Sequence, residues 1–175
     1  MRANGDEVSA VDRDVARLAE TLAADRFGVI RDEKVAGESV LVARRSEFQW
    51  TGRLHFFVVV FVDSDLDPGR AEELSASAQG YAIRHKGGLP RGLQTGTVTF
   101  PTFLSREPSA ALTGWFETEP HQRFAAMQMP VLADLAARRL VWYGGRLSRG
   151  FLFQQRFDEI IRGLLAPALN CAASV

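Results

Sequence analysis

One stretch limits the architectures open to this chain more than any other: LHFFVVVFV, Leu54 to Val62. From Phe56 onward all of its side chains are apolar, mostly aromatic or β-branched. A strand with one wet face alternates apolar and polar residues, so an unbroken apolar run needs cover on both faces. The chain must therefore place this strand inside a sheet, with other elements packed above and below it. No apolar run in the sequence is longer, and a membrane-crossing helix needs about 20 such residues.

The flanks supply the cover. Val8, Val11, Val15, Leu18 and Leu22 recur at spacings of three and four, which predicts an amphipathic helix from about Val8 to Asp25. Phe27–Ile30 and Ser39–Arg45 read as strands, separated by a polar turn, RDEKVAGE, and followed by a bend at Trp50–Arg53. Asp67 before Pro68 is a helix start, a capping carboxylate and then proline at the first helical position. Ala71, Leu74, Ala78, Tyr81 and Ala82 keep helical spacing with small side chains, and Gly87-Gly88 ends the run. TGTVTFPTFL is a strand in which Pro101, lacking an N–H, predicts an edge or a bulge.

Ser105–Phe116 holds a short helix. RFAAMQMPVLADL and RRLVWYGG form an antiparallel pair turning at Ala136–Arg138. Phe153, Phe157, Ile160, Ile161, Leu164 and Leu165 mark a last helix that stops near Pro167. The order α-β-β-β-α-β-α-β-β-α is that of an α+β fold, a mixed or antiparallel sheet with helices packed on it. No linker divides it, so residues 8–168 are expected to form one domain, with 1–7 and 169–175 as flexible termini.

Charge narrows the function classes. Lys+Arg and Asp+Glu are 21 each. Zero net charge gives no long-range pull toward nucleic acid, so a nucleic-acid partner is not expected, although a local basic patch stays open. Only Lys34 and Lys86 are lysines; the other cations are arginines, which suit carboxylates and phosphates. The opening residues show no apolar segment of a secretory signal. A cytoplasmic location and no membrane association are the expectation. The single cysteine, Cys171, forms no internal disulfide and has no basic neighbour in sequence to activate it.

KGGLPRGLQTG, Lys86 to Gly96, is the most unusual stretch. Phosphate cradles sit at the N-terminus of a helix, whereas this segment follows a helix C-terminus, whose negative end suits His85 and Lys86. Its glycines have a structural reading, positive φ angles and close backbone approach. As a site, the loop offers Lys86, Arg91 and Gln94 to a small anionic ligand. RRLVWYGGRLSRGF mixes arginines with aromatics, and Trp142, Tyr143, Arg146 and Arg149 are the expected contact set of a homodimer.

VVVFVDSDLD resembles the first motif of the haloacid dehalogenase family. The resemblance implies Asp63 as nucleophile and Asp65 as acid/base, with magnesium. That family also needs a downstream lysine and a late acidic pair; only Lys86 lies downstream, and no late strand ends in paired acids. The same aspartates open like a calcium loop, but its sixth and twelfth positions are Pro68 and Leu74 instead of glycine and glutamate. The first six elements are similar in order to the core of restriction-endonuclease-like nucleases. Such a core implies an acid on the second strand, matched only by Glu38, and an acid–x–lysine on the third, absent from LHFFVVVFV.

These readings predict a non-catalytic interaction or ligand-binding protein without metal or cofactor. The alternative is an enzyme or degenerate nuclease-like domain acting on a phosphate- or carboxylate-bearing ligand at the Lys86–Gly96 loop. The Asp63–Asp67 segment and that loop flank one helix and should lie at its opposite ends.

Overall fold

In the computed structural model the run at Leu54–Val62 is the hub of a mixed sheet of eight strands. The structure describes residues 3–49, 52–63, 65–87, 95–121, 125–148 and 151–173. Helix α1 (Ala3–Ala24) leads into strands β1 (Gly28–Val35), β2 (Glu38–Gln49) and β3 (Gly52–Val62). Helix α2 (Pro68–His85) then crosses to β4 (Thr95–Ser105), and α3 (Ala110–Phe116) follows. Short strands β5 (Ala126–Gln128), β6 (Val131–Asp134) and β7 (Arg139–Val141) precede α4 (Gln154–Ile160). From α4 the chain continues through a wide π-helical turn (Ile161–Leu165) into α5 (Ala166–Ala168) and β8 (Ala172–Ala173).

The sheet order is β1-β2-β3-β4-β6-β7-β8, with β5 also on β4. β1, β2 and β3 form an antiparallel meander, and β4 runs parallel to β3 after the α2 crossover. β5 and β6 both run parallel to β4, and β7 returns antiparallel to β6. The α+β order read from the sequence is the order found.

β3 is covered on both sides, as its composition requires. Phe56, Val58 and Val60 face a core shared with Leu18 and Leu22 of α1, Phe100 of β4, and Phe157, Ile160 and Leu165 near the C-terminus. Phe57, Val59 and Phe61 face a second core with Leu74, Ala78, Tyr81 and Ala82 of α2, together with Phe103, Leu112 and Phe116. Alanine and serine on the inner face of α2 let that helix lie close to the sheet. Its first turn is capped as expected, Asp67 Oδ1 accepting from the Arg70 N–H at 2.8 Å.

Several local features depart from the expectations. β1 runs through most of the stretch taken for a turn, and only Ala36 (φ 54°) and Gly37 (φ 84°) form the reversal. That is a two-residue hairpin with positive φ at both positions. β1 lies at the sheet edge with mostly exposed side chains, so its polar residues mimic a loop. Pro101 sits in an interior strand, at the point where β5 gives way to β6 along β4. Its missing N–H falls in that break in pairing.

At the N-terminus the helix begins at Ala3, five residues before the expected boundary. At the C-terminus the segment read as a flexible tail is fastened through residue 173. Leu169 is fully buried, and Ala172 and Ala173 pair with Arg139 and Leu140.

Candidate functional site: the sheet ledge beyond helix α2

Cross-strand register decides which polar side chains meet. Residues paired directly across strands project from the same face. β2 and β3 pair Phe48 with Arg53, Ser46 with His55 and Arg44 with Phe57; β3 and β4 pair His55 with Thr97 and Arg53 with Thr95. Phe57 belongs to the core under α2. Arg44, Ser46, Phe48, Arg53 and His55 therefore stand on the α2 side of the sheet. The helix ends at His85, and the strands run on past it. What remains is a ledge of sheet on which Arg44, Ser46, Phe48 and Arg53 are exposed.

The end of α2 closes one side of this ledge. Arg44 Nη1 donates to the His85 carbonyl at 3.4 Å, a cation on the negative end of a helix. Lys86 Nζ lies 3.3 Å from the Gly87 carbonyl and 3.5 Å from Thr95 Oγ1. Tyr81, almost fully buried, stacks on the exposed His85 ring with centroids 3.9 Å apart. Burial raises the Tyr81 hydroxyl pKa, and the Glu33 carboxylate beside it adds to the rise.

His55 is the centre of the arrangement. It is 6 % exposed, its Nδ1 lies 2.8 Å from Ser46 Oγ, and its Nε2 is buried with no hydrogen-bond partner. Its pKa is lowered from 6.5, first by burial and then by the charges of Lys86, Arg53 and Arg44 in that order. Three cations from three different elements thus converge on one neutral imidazole. Arg44 and Arg53 have no ion pair with an acidic side chain among the described residues.

Of the site residues anticipated from sequence, Lys86 belongs to this ledge, while Arg91 and Gln94 lie outside the described residues. Gly87 has φ 67°, in keeping with a helix-ending glycine, and a Cβ on Gly96 would come within 2.7 Å of Leu54 Cδ2. Those two glycines of the loop are therefore accounted for by backbone geometry. Arg44, Ser46, Arg53 and His55 were missed. The only sequence signal for them is the alternation R-x-S-x-F and R-x-H on two strands, which carries meaning only once the register is known.

Of the anticipated contact set, Trp142 is not at the surface, while Arg146 is exposed. Trp142 is 2 % exposed and packs in the α1-side core, with the Arg162 guanidinium 4.9 Å over its ring. It follows directly on buried β7, which turns its indole inward. The half-buried Tyr143 donates its hydroxyl to the Arg146 carbonyl at 3.3 Å, and Arg149 lies outside the described residues.

At the opposite end of the sheet, beyond the C-terminal ends of β3, β4 and β6, lies a cleft of about 690 Å³. It is lined by Val11 and Asp14 of α1, by Asp63, Ser105 and Arg106, and by Arg138 of the β6–β7 turn. Two of its charges, Asp14 and Arg138, are tied into the framework. Asp14, 3 % exposed, accepts from Arg138 Nη1 at 3.2 Å and pairs with Arg17 Nη2 at 3.3 Å; Arg138 Nη1 also donates to the Leu169 carbonyl.

Asp63, the nucleophile implied by the dehalogenase resemblance, accepts from the Asp65 N–H at 2.9 Å, as in an Asx turn. Glu38, the acid implied by the nuclease-like order, is ion-paired with Arg70 at 2.6 Å. No group of three His, Cys, Asp or Glu side chains is placed to hold a metal among the described residues. No helix of the described residues is long and apolar enough to cross a membrane. No family model, curated protein or solved structure matches this chain.

Proposed function

We propose that this domain is a non-catalytic binding protein whose ligand presents an anionic oxygen group to Arg44, Arg53 and Lys86 on the ledge beyond α2. The register that sets Arg44 and Arg53 on the face of the buried His55, with Lys86 reaching Thr95 opposite Arg53, carries the reading. Like charges gathered beside a low-dielectric pocket repel one another, and an oxyanion among them relieves that repulsion. The negative end of α2 accounts for Arg44, which it hydrogen-bonds, but Arg53 stands out on a strand, opposite Phe48.

Arginine's fork and a lysine ammonium together supply the donors that phosphate or carboxylate oxygens take. His55 senses the event. An anion beside it raises its pKa, so binding takes up a proton near neutral pH and strengthens as pH falls through the histidine range.

Inorganic phosphate is the simplest probe. Its titration should shift the His55 ring resonances saturably, and Arg53→Ala with Lys86→Ala should abolish the shift; sulfate, whose charge is constant from pH 6 to pH 8, should bind more tightly at pH 6. A flat His55 signal, or one unchanged by the double substitution, would remove this reading.

A further inference from the structure

We infer that the ligand of this ledge is a nucleoside phosphate, whose ring stacks on Phe48 while its phosphate meets the cations. The inference rests on the anion-binding reading above and adds the class of molecule.

Its basis is the placement of Phe48. This side chain is 73 % exposed, one of the two most exposed large apolar residues among those described. A single exposed apolar residue is ordinary; its surroundings are what give it meaning here. Phe48 projects from the same face of β2 as Arg44 and Ser46 and stands directly opposite Arg53. Its ring therefore borders the cation cluster, on a strand rather than a loose loop.

Same-face neighbours along a strand are about 7 Å apart, and adjacent strands are about 4.8 Å apart. An aromatic platform thus lies one step along β2 from Ser46, beside His55, and one strand from Arg53. Charge complementarity calls for an anion, and the adjacent open ring calls for a flat apolar body joined to it. A nucleoside phosphate has both parts at that short spacing. Stacking on an aromatic side chain tolerates any base, because every base presents a π-face.

The experiment uses the full chain and three probes: inorganic phosphate, adenosine and adenosine monophosphate, with dissociation constants measured by calorimetry at low salt. Adenosine monophosphate should bind at least about tenfold more tightly than phosphate, the scale of one base–aromatic stack. Phe48→Ala should bring the two constants together and leave phosphate binding unchanged, while Phe48→Tyr keeps the gap. Because Phe48 is exposed, the alanine variant tests the platform rather than the fold.

Equal binding of phosphate and the nucleotide, or a gap that survives Phe48→Ala, overturns the nucleotide assignment and leaves the anion site standing. Absence of binding by either removes both. A single-stranded oligonucleotide that binds where the mononucleotide does not would replace the small ligand with a polymer. A dimer that dissociates on Phe48→Ala would make the platform a contact between copies of the chain.

Discussion

The two ends of the sheet use charge differently. Beyond the C-terminal ends of β3, β4 and β6, a buried carboxylate, Asp14, is held between two arginines, and one of these reaches on to the Leu169 carbonyl. Those charges join α1, the β6–β7 turn and the C-terminal segment into one framework. At the other end, Arg44, Arg53 and Lys86 crowd a histidine that burial already holds neutral. The buried charge at the C-terminal ends is thus paired, whereas on the α2 face of the ledge Arg44 and Arg53 have no acidic partner among the described residues. Open α/β sheets take ligands at the C-terminal ends of parallel strands; here the wall of the cleft at that position carries the Asp14–Arg138 ion pair. α2, 18 residues and about 27 Å long by helical rise, keeps the two ends apart.

The contrast can be broken most sharply at Cys171, which belongs to the framework end. Burial pushes its thiol up from 9.0 to about 11, with Asp14 and Asp134 adding to the rise and Arg138 opposing it. Thiolate is the reactive form, so two units reduce its fraction by about a hundredfold. Alkylation of the native protein at pH 8 should be at least that much slower than in denaturant. Phosphate should leave the rate unchanged, because Cys171 lies away from the ledge. Rapid labelling of the folded chain would show that the framework end opens freely.

Asp14→Ala comes next. Breaking a buried pair costs about 3–5 kcal/mol when the remaining charge is stranded, but Arg17 and Arg138 are 41% and 47% exposed and regain water. A loss of about 2 kcal/mol is expected in urea unfolding. Phosphate affinity should not change, because sites this far apart act independently. At the ledge the pattern reverses: Arg53→Ala should alter stability by less than about 0.5 kcal/mol while weakening phosphate. A stability loss at the ledge as large as the one at Asp14 would erase the distinction between the two ends.

The framework was largely legible in the sequence and the ledge was not, for physical reasons. The apolar run of β3, the Asp67-Pro68 start of α2 and the spacing of Leu18 and Leu22 are local signals of burial and capping. Residues 44, 46, 53, 55 and 86 share no local pattern and are brought together only by strand register. The expected second strand stops at Arg45, short of the end of β2 at Gln49, and the expected bend at Trp50–Arg53 leaves Arg53 off β3. Past the end of α2 polar residues recur along both strands, and such strand ends look like loops. Trp142 failed in the opposite way, since nothing in its neighbours signals that the chain turns its ring inward. Lys86 stands out in the sequence because a helix terminus is a local signal.

The smallest effect tests the ledge most directly. His55 has a folded pKa below its unfolded value near 6.5, so the unfolded chain binds the proton more readily. Its contribution to stability is complete above pH 6.5 and declines as pH falls from there toward the folded pKa. Arg53→Glu removes one of the three opposing cations and places an acid beside the ring. The His55 pKa, followed by its ring resonance, should rise, and the acid-side decline in stability should become shallower by under about 1 kcal/mol. It should not return fully to 6.5, because burial is the first cause of the depression and the substitution leaves burial in place. If the pKa stays where it was, Arg53 does not act on His55, and the convergence of charge that separates this end of the sheet from the other does not exist.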